Sequence, residues 1–451
     1  MVDDRVVIVG GGFSGALLAI NLMRYEGPRA TLIERRRPQL ARGVAYSAAS
    51  EEHLLNVRAG NMSAFPDEPD HFVTWLENHG LGNRGTFVPR RVYGAYLRDM
   101  LDEAKREHGD RLTLVDGEAI AVDRGESVST VRLADGRTIE AETVVLALGN
   151  LPPHTPPGLD PDALPPGTYA GDPWAEDITR GLSKDDTVVL VGSGLTAIDA
   201  ALLLDASGFQ GHILSMSRRG LVPRAHATIP PVTGLSERPG TRLSALVATL
   251  RRRAEEVDWR TAVDELRPVT QMLWGALSDE ERQRFLRHAR PFWDVHRHRL
   301  APSVAARIDG LCAAGRLRFA AGKIVSAAAE GEGVRLRWRP RGIDRIEETL
   351  ARRIVNCTGP QGDLLRSPEP LIKQLLAAGA IRPDPLRIGL EVDAQSRVIA
   401  ADGTVQDSLY CIGPMTRGGL WEVVAVPDIR QQNWTLARRL ANAQWVGGEG
   451  L

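Results

Sequence analysis

The sequence is short of cysteine and has no long apolar run. It contains three cysteines in 451 residues, Cys312, Cys357 and Cys411, and none of them forms a C-x-x-C pair. This argues against a disulfide framework or a zinc cluster and predicts a reducing, cytoplasmic location. No apolar run approaches the roughly 18 residues that span a bilayer. The opening residues, MVDDRVVIVG, lack the basic and apolar regions of a secretory signal. We therefore expect no membrane partner.

An excess of charge of either sign is also absent. Lys and Arg together number 56 and Asp and Glu 57, which gives a net charge of −1. This balance argues against a dedicated nucleic-acid binder. Lysine itself is scarce, and almost every basic residue is an arginine, which we interpret as coding bias. The length predicts two to four domains, enough to bury a sizeable core.

Alternating strand-like and helix-like segments predict an α/β fold built on two Rossmann-like dinucleotide-binding units. Residues 5–9 form an apolar strand, followed by a glycine-rich turn, an apolar helix and a second strand that ends at Glu34. Residues 187–217 repeat this order. Between about 240 and 311, strand signals vanish and helix formers predominate. The predicted domains are 1–165, the first part of the first unit; 166–350, the second unit with a helical insertion at about 240–311; and 351–451, a return to the first unit.

The first glycine motif predicts a site for the ADP half of FAD. It reads Gly10-x-Gly12-x-x-Gly15 and joins a strand to a helix. Gly10 permits the tight turn, Gly12 lets a pyrophosphate approach the backbone, and Gly15 lets the helix pack on the strand. The helix N-terminus favours the negative pyrophosphate, and Glu34 can accept hydrogen bonds from ribose hydroxyls. Three neighbours complete this predicted site: Phe13, Ser14 and Arg35.

The second glycine motif predicts a site for NADPH. It reads Gly192-x-Gly194-x-x-Ala197, in the same strand-to-helix context. Its second strand ends at Arg218 and Arg219 instead of an acid, and arginine accommodates the ribose 2′-phosphate of NADPH. Because the chain is rich in arginine, the alternative is that Arg218 and Arg219 are solvated surface charges. Leu195 and Thr196, which open the helix, are assigned to the same site. Two dinucleotide sites indicate a flavin that is reduced by NADPH.

Several further segments resemble a bacterial family of FAD/NAD(P)-binding flavoproteins, related to NADPH-dependent flavin monooxygenases and including a urate hydroxylase type. They are GVAYS (43–47), HLLNVRAGNMSAFPDEPDHFVTWL (53–76), FVPRRVYGAYL (87–97), SRRGLVPRAHA (217–227), DWR (258–260), HRHRLAP (296–302) and TRGGLWEVVAVPDIR (416–430). The resemblance covers nearly the whole chain.

The resemblance implies further cofactor contacts. The segment 54–63 would lie along the flavin, with contacts from Asn56, Met62 and Ser63; the alternative is an ordinary loop and helix of the core. The C-terminal return would bring Gly413, Trp421 and Ile429 to the cofactor, although Trp421 can equally be plain core. Gly149, at the end of a strand, would pass close to FAD.

The implied activity is that of an FAD-dependent, NADPH-using monooxygenase. A C4a-(hydro)peroxyflavin would hydroxylate a small polar substrate, urate-like or an amine, with molecular oxygen. One alternative is an FAD-dependent reductase that passes electrons to a quinone or a redox protein, and another is a non-catalytic flavoprotein that senses redox state or nucleotide. Residues 168–177 lack the histidine of sulfur and ketone monooxygenases, and no paired cysteines suggest a disulfide reductase.

Catalytic residues are less clearly marked. The candidates are His226, His296, Arg297 and Trp421. His296 and His298 are two apart and would not share a helix face, so we expect no metal site. The alternative for residues 296–299 is a solvated helix end. The helical insertion is the predicted cover over the active site, and the sequence predicts no oligomeric state.

Overall fold

The computed structural model describes residues 5–47, 50–228, 240 and 242–442. Within these residues the strands are β1 Arg5–Val9, β2 Arg29–Glu34, β3 Leu112–Asp116, β4 Ala119–Arg124, β5 Ser129–Leu133, β6 Thr138–Ala141, β7 Thr143–Leu146, β8 Tyr169–Ala170, β9 Thr187–Val191, β10 His212–Ser217, β11 Leu317–Glu330, β12 Gly333–Pro340, β13 Glu347–Ala351, β14 Arg353–Asn356, β15 Arg397–Ile399 and β16 Val405–Cys411.

The α-helices of the same residues are α1 Phe13–Arg24, α2 Gly43–Tyr46, α3 His71–Asn78, α4 Arg90–Glu107, α5 Leu195–Ala206, α6 Leu243–Glu256, α7 Trp259–Glu265, α8 Thr270–Ala276, α9 Asp279–Arg284, α10 Arg290–Arg297, α11 Pro302–Ala313, α12 Pro370–Ala377 and α13 Val426–Leu440. Phe285–Ala289, between α9 and α10, form a π-helical turn. No helix among the described residues is both long and apolar enough to cross a membrane.

The first sheet has the strand order β15-β16-β7-β1-β2-β3. All its neighbouring strands pair in parallel except β15 and β16. Parallel strands are covered on both faces, which explains why β1 is apolar from Val6 to Val9. Helices α1, α4 and α13 cover one face, while α12 and the antiparallel sheet β4-β5-β6 cover the other. The sheet therefore lies between two apolar cores.

The second sheet has the order β13-β12-β11-β10-β9-β14-β8. Strands β11, β10, β9, β14 and β8 pair in parallel, and β12 and β13 extend the sheet antiparallel. Helices α5 and α11 pack on one face, and Leu336 and Trp338 of β12 pack with Val189 and Val191 on the other. The predicted α/β class with two Rossmann-like units is confirmed.

Two predicted boundaries are corrected by the sheets. Strand β14 pairs with β9 and β8, so the second unit extends to Asn356 and the return to the first unit begins after it, not at 351. Helix α11 joins β10 to β11 and packs on the second sheet through Val304, Ile308 and Leu311. It is the crossover helix of the Rossmann unit, so the insertion ends near Arg297 and not at 311. Helix-forming composition cannot separate an inserted helix from a crossover helix.

Candidate cofactor-binding site

The first glycine loop is built as the motif requires. Gly10 has φ +105°, and a Cβ there would overlap the carbonyl oxygen of Ala147 in the neighbouring strand connection. A Cβ at Gly15 would overlap the carbonyl oxygen of Gly10. Both positions therefore exclude any side chain. Only glycine lets the strand, the turn and helix α1 approach each other this closely.

The N-terminus of α1 is open to an anion. Its N-cap, Gly12, makes no side-chain capping bond, and the first turn contains no acidic residue. Glu34 lies beside the loop: its Oε2 accepts the backbone N–H of Gly11 at 2.9 Å, and its Oε1 accepts that of Arg36 at 2.8 Å. Free amides and the helix dipole favour a pyrophosphate. The fixed carboxylate retains lone pairs for ribose hydroxyls.

The second loop repeats this construction. Gly192 has φ +131°, and a Cβ there would overlap the carbonyl oxygen of Cys357. Gly194 is the N-cap of α5, again without a side-chain cap or an acid in the first turn, and a Cβ built on it meets no atom within 4 Å. Ala197 is buried and takes the place of the third glycine. The space in front of Gly194 is thus open for a ligand.

The two arginines that follow β10 differ in their surroundings. Arg218 is exposed and has no acidic partner among the described residues. Arg219 lies with its guanidinium 5.1 Å from the ring centroid of Phe292, and it donates to the carbonyl oxygen of Arg287 at 3.4 Å. Arg219 is thereby tied to the helical insertion. Arg218, exposed and without an acidic partner in the described part of the chain, is the guanidinium that could take a ribose 2′-phosphate.

Replacing Arg218 by alanine is expected to weaken NADPH binding about tenfold or more and to leave NADH binding unchanged. A charge-assisted phosphate contact contributes about 1.5–3 kcal/mol. Isothermal titration with both nucleotides measures the preference. Arg106→Ala is the control, because Arg106 is an exposed arginine on α4. An unchanged NADPH/NADH ratio in the Arg218 variant would contradict the assignment.

The segment 54–63 and the C-terminal return lie side by side. Arg430 of α13 donates to the backbone oxygen of Ser63 at 2.7 Å, and the hydroxyl of Ser63 bonds the carbonyl oxygen of Glu68 at 2.6 Å. Gly413, with φ +78°, lies against Ser14 of α1, and its N–H donates to Oε1 of Gln432 at 2.8 Å. The C-terminal segment therefore packs against the start of α1. Met62 and Ile429 are buried in the core around α1.

His226 joins the second unit to the first. Its Nε2 lies 2.9 Å from the backbone oxygen of Asn56, which can only accept, so Nε2 carries the proton. The ring lies 5.3 Å from that of Phe87. Burial, and then the nearby Arg299 and Arg58, lower the pKa of His226 to about 4, against the raising effect of its bond to Asn56. The imidazole is therefore neutral at physiological pH and unsuited to act as a general acid.

Trp421 lies under the helical insertion. Its ring stacks on Trp274 with centroids 4.4 Å apart and meets Phe285 edge-on at 5.6 Å. Nε1 of Trp274 donates to the carbonyl oxygen of Gly418 at 2.8 Å, and Gln271 donates to that of Trp421. The insertion thus packs on the C-terminal return. Trp421 packs in this aromatic cluster, which agrees with the alternative of plain core.

Arg297 and Glu422 form a buried ion pair beneath the insertion. Glu422 accepts Nε of Arg297 at 3.1 Å and Nε1 of Trp293 at 2.6 Å, and its side chain is 5% exposed. Its φ of +65° is unusual for a residue with a side chain. Nearby, Arg267 of the insertion lies 3.4 Å from Asp428 of α13. These pairs fasten the insertion to the segment that leads into α13.

Other predicted residues lie as follows. His296 lies apart from these contacts: it bonds the backbone oxygen of Phe292 and meets Trp259 edge-on. Arg35 is bound by Glu118 and Glu369 at the surface. Phe13 packs on Tyr46 and Tyr93. Leu195 and Thr196 open α5, while Gly149 has φ +66° and open space beside it. No three His, Cys, Asp or Glu residues of the described chain are grouped as metal ligands.

The residues present fit two dinucleotides. Both glycine loops end in uncapped helix N-termini, and a Cβ at Gly149, Gly194 or Gly359 would meet no protein atom within 4 Å. Gly149 and Gly359 follow β7 and β14, where the chain passes between the units, and Leu151 and Gln361 pair there. These glycines therefore leave room beside each loop for FAD and for NADPH.

The comparisons with known proteins agree with this construction. Residues 7–151 match the model of the FAD-NAD(P)-binding family. No curated protein matches the chain in sequence. The following solved structures share the fold of the chain.

Ornithine hydroxylase from Pseudomonas aeruginosa is 15% identical, with a TM-score of 0.67 over 98% of this chain and 99% of that one. Ornithine N-hydroxylase from Kutzneria sp. 744, solved with reduced FAD, NADP+ and L-ornithine, is 16% identical, with a TM-score of 0.66 over 97% and 99%. Bacillithiol disulfide reductase from Bacillus cereus is 14% identical, with a TM-score of 0.54 over 98% and 99%. The fold thus accommodates both hydroxylases and reductases.

Proposed function

We propose that this protein is an FAD-dependent, NADPH-using monooxygenase that hydroxylates a small amine. The observation that carries the proposal is the pair of uncapped dinucleotide loops, in a fold whose solved examples include two ornithine hydroxylases. The overall reaction would be amine, O2, NADPH and a proton to hydroxylamine, water and NADP+. The amine is favoured over a urate-like substrate by those same two structures.

Each cofactor has a distinct place in the proposal. FAD, when bound, would accept electrons from NADPH and deliver them to oxygen. Gly10, Gly12 and Glu34 would hold its ADP half, and Gly192, Gly194 and Arg218 would hold NADPH. The chain's own task is to orient the reactants and exclude water, because solvent access would divert the oxygen to hydrogen peroxide. The insertion, fastened through Glu422 and Trp421, serves that exclusion.

A disulfide reductase is disfavoured by the cysteines. Burial raises the pKa of the Cys411 thiol to about 12, and burial also raises that of Cys357. Cys312 lies exposed on α11, and none of the three is bonded to another. A thiol must ionise easily to attack a disulfide. A reductase for a quinone or a redox protein would share both nucleotide loops. It would differ in needing neither oxygen nor an amine for electron transfer.

Arg58 indicates the kind of amine. Its guanidinium lies 5.1 Å from the ring of Phe87, and it donates to the backbone oxygen of Ala227 at 3.4 Å. Among the described residues Arg58 has no acidic partner, whereas Arg297 and Arg299 are each paired with a carboxylate. An arginine without an acidic partner in the described part of the chain suits a substrate carboxylate. We therefore favour an amino acid over a simple diamine.

The assay compares amines that do and do not carry a carboxylate. Purified FAD-loaded protein should oxidise NADPH faster when ornithine or lysine is added, with hydroxylamine formed in proportion and little hydrogen peroxide. Arg58→Ala should raise the KM for the amino acid about tenfold and leave that for cadaverine unchanged. Arg106→Ala serves as the control. Oxygen-independent electron transfer to a quinone, with no amine effect, would favour the reductase and contradict the proposal.

A further inference from the structure

Two side chains of the first unit converge on one residue of the nucleotide-binding helix α5. Nη2 of Arg90, the first residue of α4, lies 2.7 Å from Oδ2 of Asp199. Nε2 of His53 lies 3.1 Å from the backbone oxygen of the same Asp199. Asp199 belongs to the second unit. It is thus held through its carboxylate and its backbone by the unit that carries the flavin loop.

This junction is largely buried. The side chains of Arg90 and Asp199 are 12% and 9% exposed. Trp174 lies over both contacts, with its ring 5.9 Å from the Arg90 guanidinium and edge-on to His53 at 5.4 Å. A buried ion pair gives little net stability, because desolvation offsets the attraction, but it fixes a geometry strongly. The pair is therefore better suited to set an orientation than to hold the fold together.

The junction links α5 to the segment 54–63. Asp199 lies four residues after Leu195, about 6 Å along α5 from the end that faces the nucleotide. On the other side, Nε of Arg90 donates to the backbone oxygen of Leu54 at 3.3 Å. Leu54 begins the segment 54–63, whose Asn56 bonds His226 of the second unit. A short chain of contacts thus runs from the flavin segment to the helix beneath NADPH.

We propose that Arg90 and Asp199 are positioning residues for electron transfer from NADPH to FAD. They would fix α5 against the segment 54–63, so that the nicotinamide carried on α5 reaches the flavin. The inference rests on the proposed function. In that step a hydride, with its electron pair, leaves C4 of the nicotinamide and passes to FAD, so NADPH becomes NADP+ and the flavin is reduced. Neither residue touches the reacting atoms.

The test separates positioning from binding. Flavin reduction by NADPH is followed without oxygen in a stopped-flow spectrophotometer, which gives the limiting rate constant and the Kd. Asp199→Asn keeps the size of the side chain and removes its charge. We expect this variant and Arg90→Ala to lose about tenfold to a hundredfold in the limiting rate constant, because small misplacement of reactants is costly, while the Kd changes less than about threefold. The double variant should be no slower than either single one.

Arg91→Ala is the matched control. Arg91 follows Arg90 on α4 but is exposed and pairs with Glu51 within the first unit, so its loss should leave both constants unchanged. If Arg90→Ala does not fold, Arg90→Lys takes its place, because lysine keeps the charge but not the planar fork of the guanidinium. The limiting rate constant should again fall while the Kd stays nearly constant, but the fall should be smaller.

A second readout does not depend on turnover. Hydrogen exchange of the FAD-loaded protein without NADPH should be faster across α5 in Asp199→Asn than in the wild type or in Arg91→Ala. Wild-type limiting rates in folded Arg90 and Asp199 variants, or a loss confined to the Kd, would overturn the inference. Wild-type protein whose bound flavin NADPH does not reduce would instead overturn the proposed function.

Discussion

Replacing Gly15 by alanine is expected to give a protein that binds less than about a tenth of the wild-type FAD. The new methyl would overlap the carbonyl oxygen of Gly10 and lie 3.2 Å from the Cβ of Ala147. Helix α1 would have to move away from β1, which costs about 1–3 kcal/mol and displaces the amides that would hold the pyrophosphate. The flavin absorbance of the purified protein, against total protein, measures this.

Gly310→Ala is the control for that change. Gly310 lies in α11, and a Cβ built there meets no atom within 4 Å. Alanine favours a helix over glycine, so this variant should bind FAD normally and be slightly more stable. A Gly15 variant that retained its full flavin would show that the first glycine loop does not hold FAD.

Replacing Gly194 by alanine is expected to weaken NADPH binding about a hundredfold, which is about 2.8 kcal/mol, while FAD stays bound. Gly194 has extended backbone, φ −85° and ψ −168°, which alanine adopts without strain. Its Cβ would meet no protein atom within 4 Å. The methyl would therefore leave the protein's own packing intact and occupy only the space that the pyrophosphate needs.

This second change separates the two cofactor sites. Titration of the FAD-loaded variant with NADP+ gives the affinity, and the flavin absorbance reports the first site independently. Thermal unfolding should match that of the wild type. Wild-type affinity for NADP+ in the Gly194 variant would contradict the second nucleotide site, whatever the outcome for Gly15.

Both glycine loops were predictable from the sequence because the spacing of the motif marks a strand-turn-helix unit. The contact that requires Gly15, with the carbonyl oxygen of Gly10, lies within that unit, whereas the contacts that require Gly10 and Gly192 come from Ala147 and Cys357, far along the chain. The insertion was predictable as a helical region, since strand signals vanish there. Its last predicted helix proved to be the crossover helix α11.

The contacts between the units were not predictable. Arg90 and Asp199 are 109 positions apart, and Arg297 and Glu422 are 125 apart. Their pairing depends on how one unit packs on another, which no local pattern encodes. In a chain rich in arginine, neither Arg58 nor Arg90 stands out by composition. The first signal that distinguishes them is structural: Arg90 is paired with the carboxylate of Asp199, and Arg58 has no carboxylate partner among the residues that the structure describes.

The central claim is that electrons from NADPH place one oxygen atom on an amine. The most direct measurement supplies 18O2 to the FAD-loaded protein with NADPH and the amine that most stimulates NADPH oxidation, and weighs the product by mass spectrometry. The account predicts a hydroxylamine that contains one 18O atom, formed in proportion to the NADPH consumed. Unlabelled amine, with all of the oxygen recovered as hydrogen peroxide for every amine tested, would contradict it.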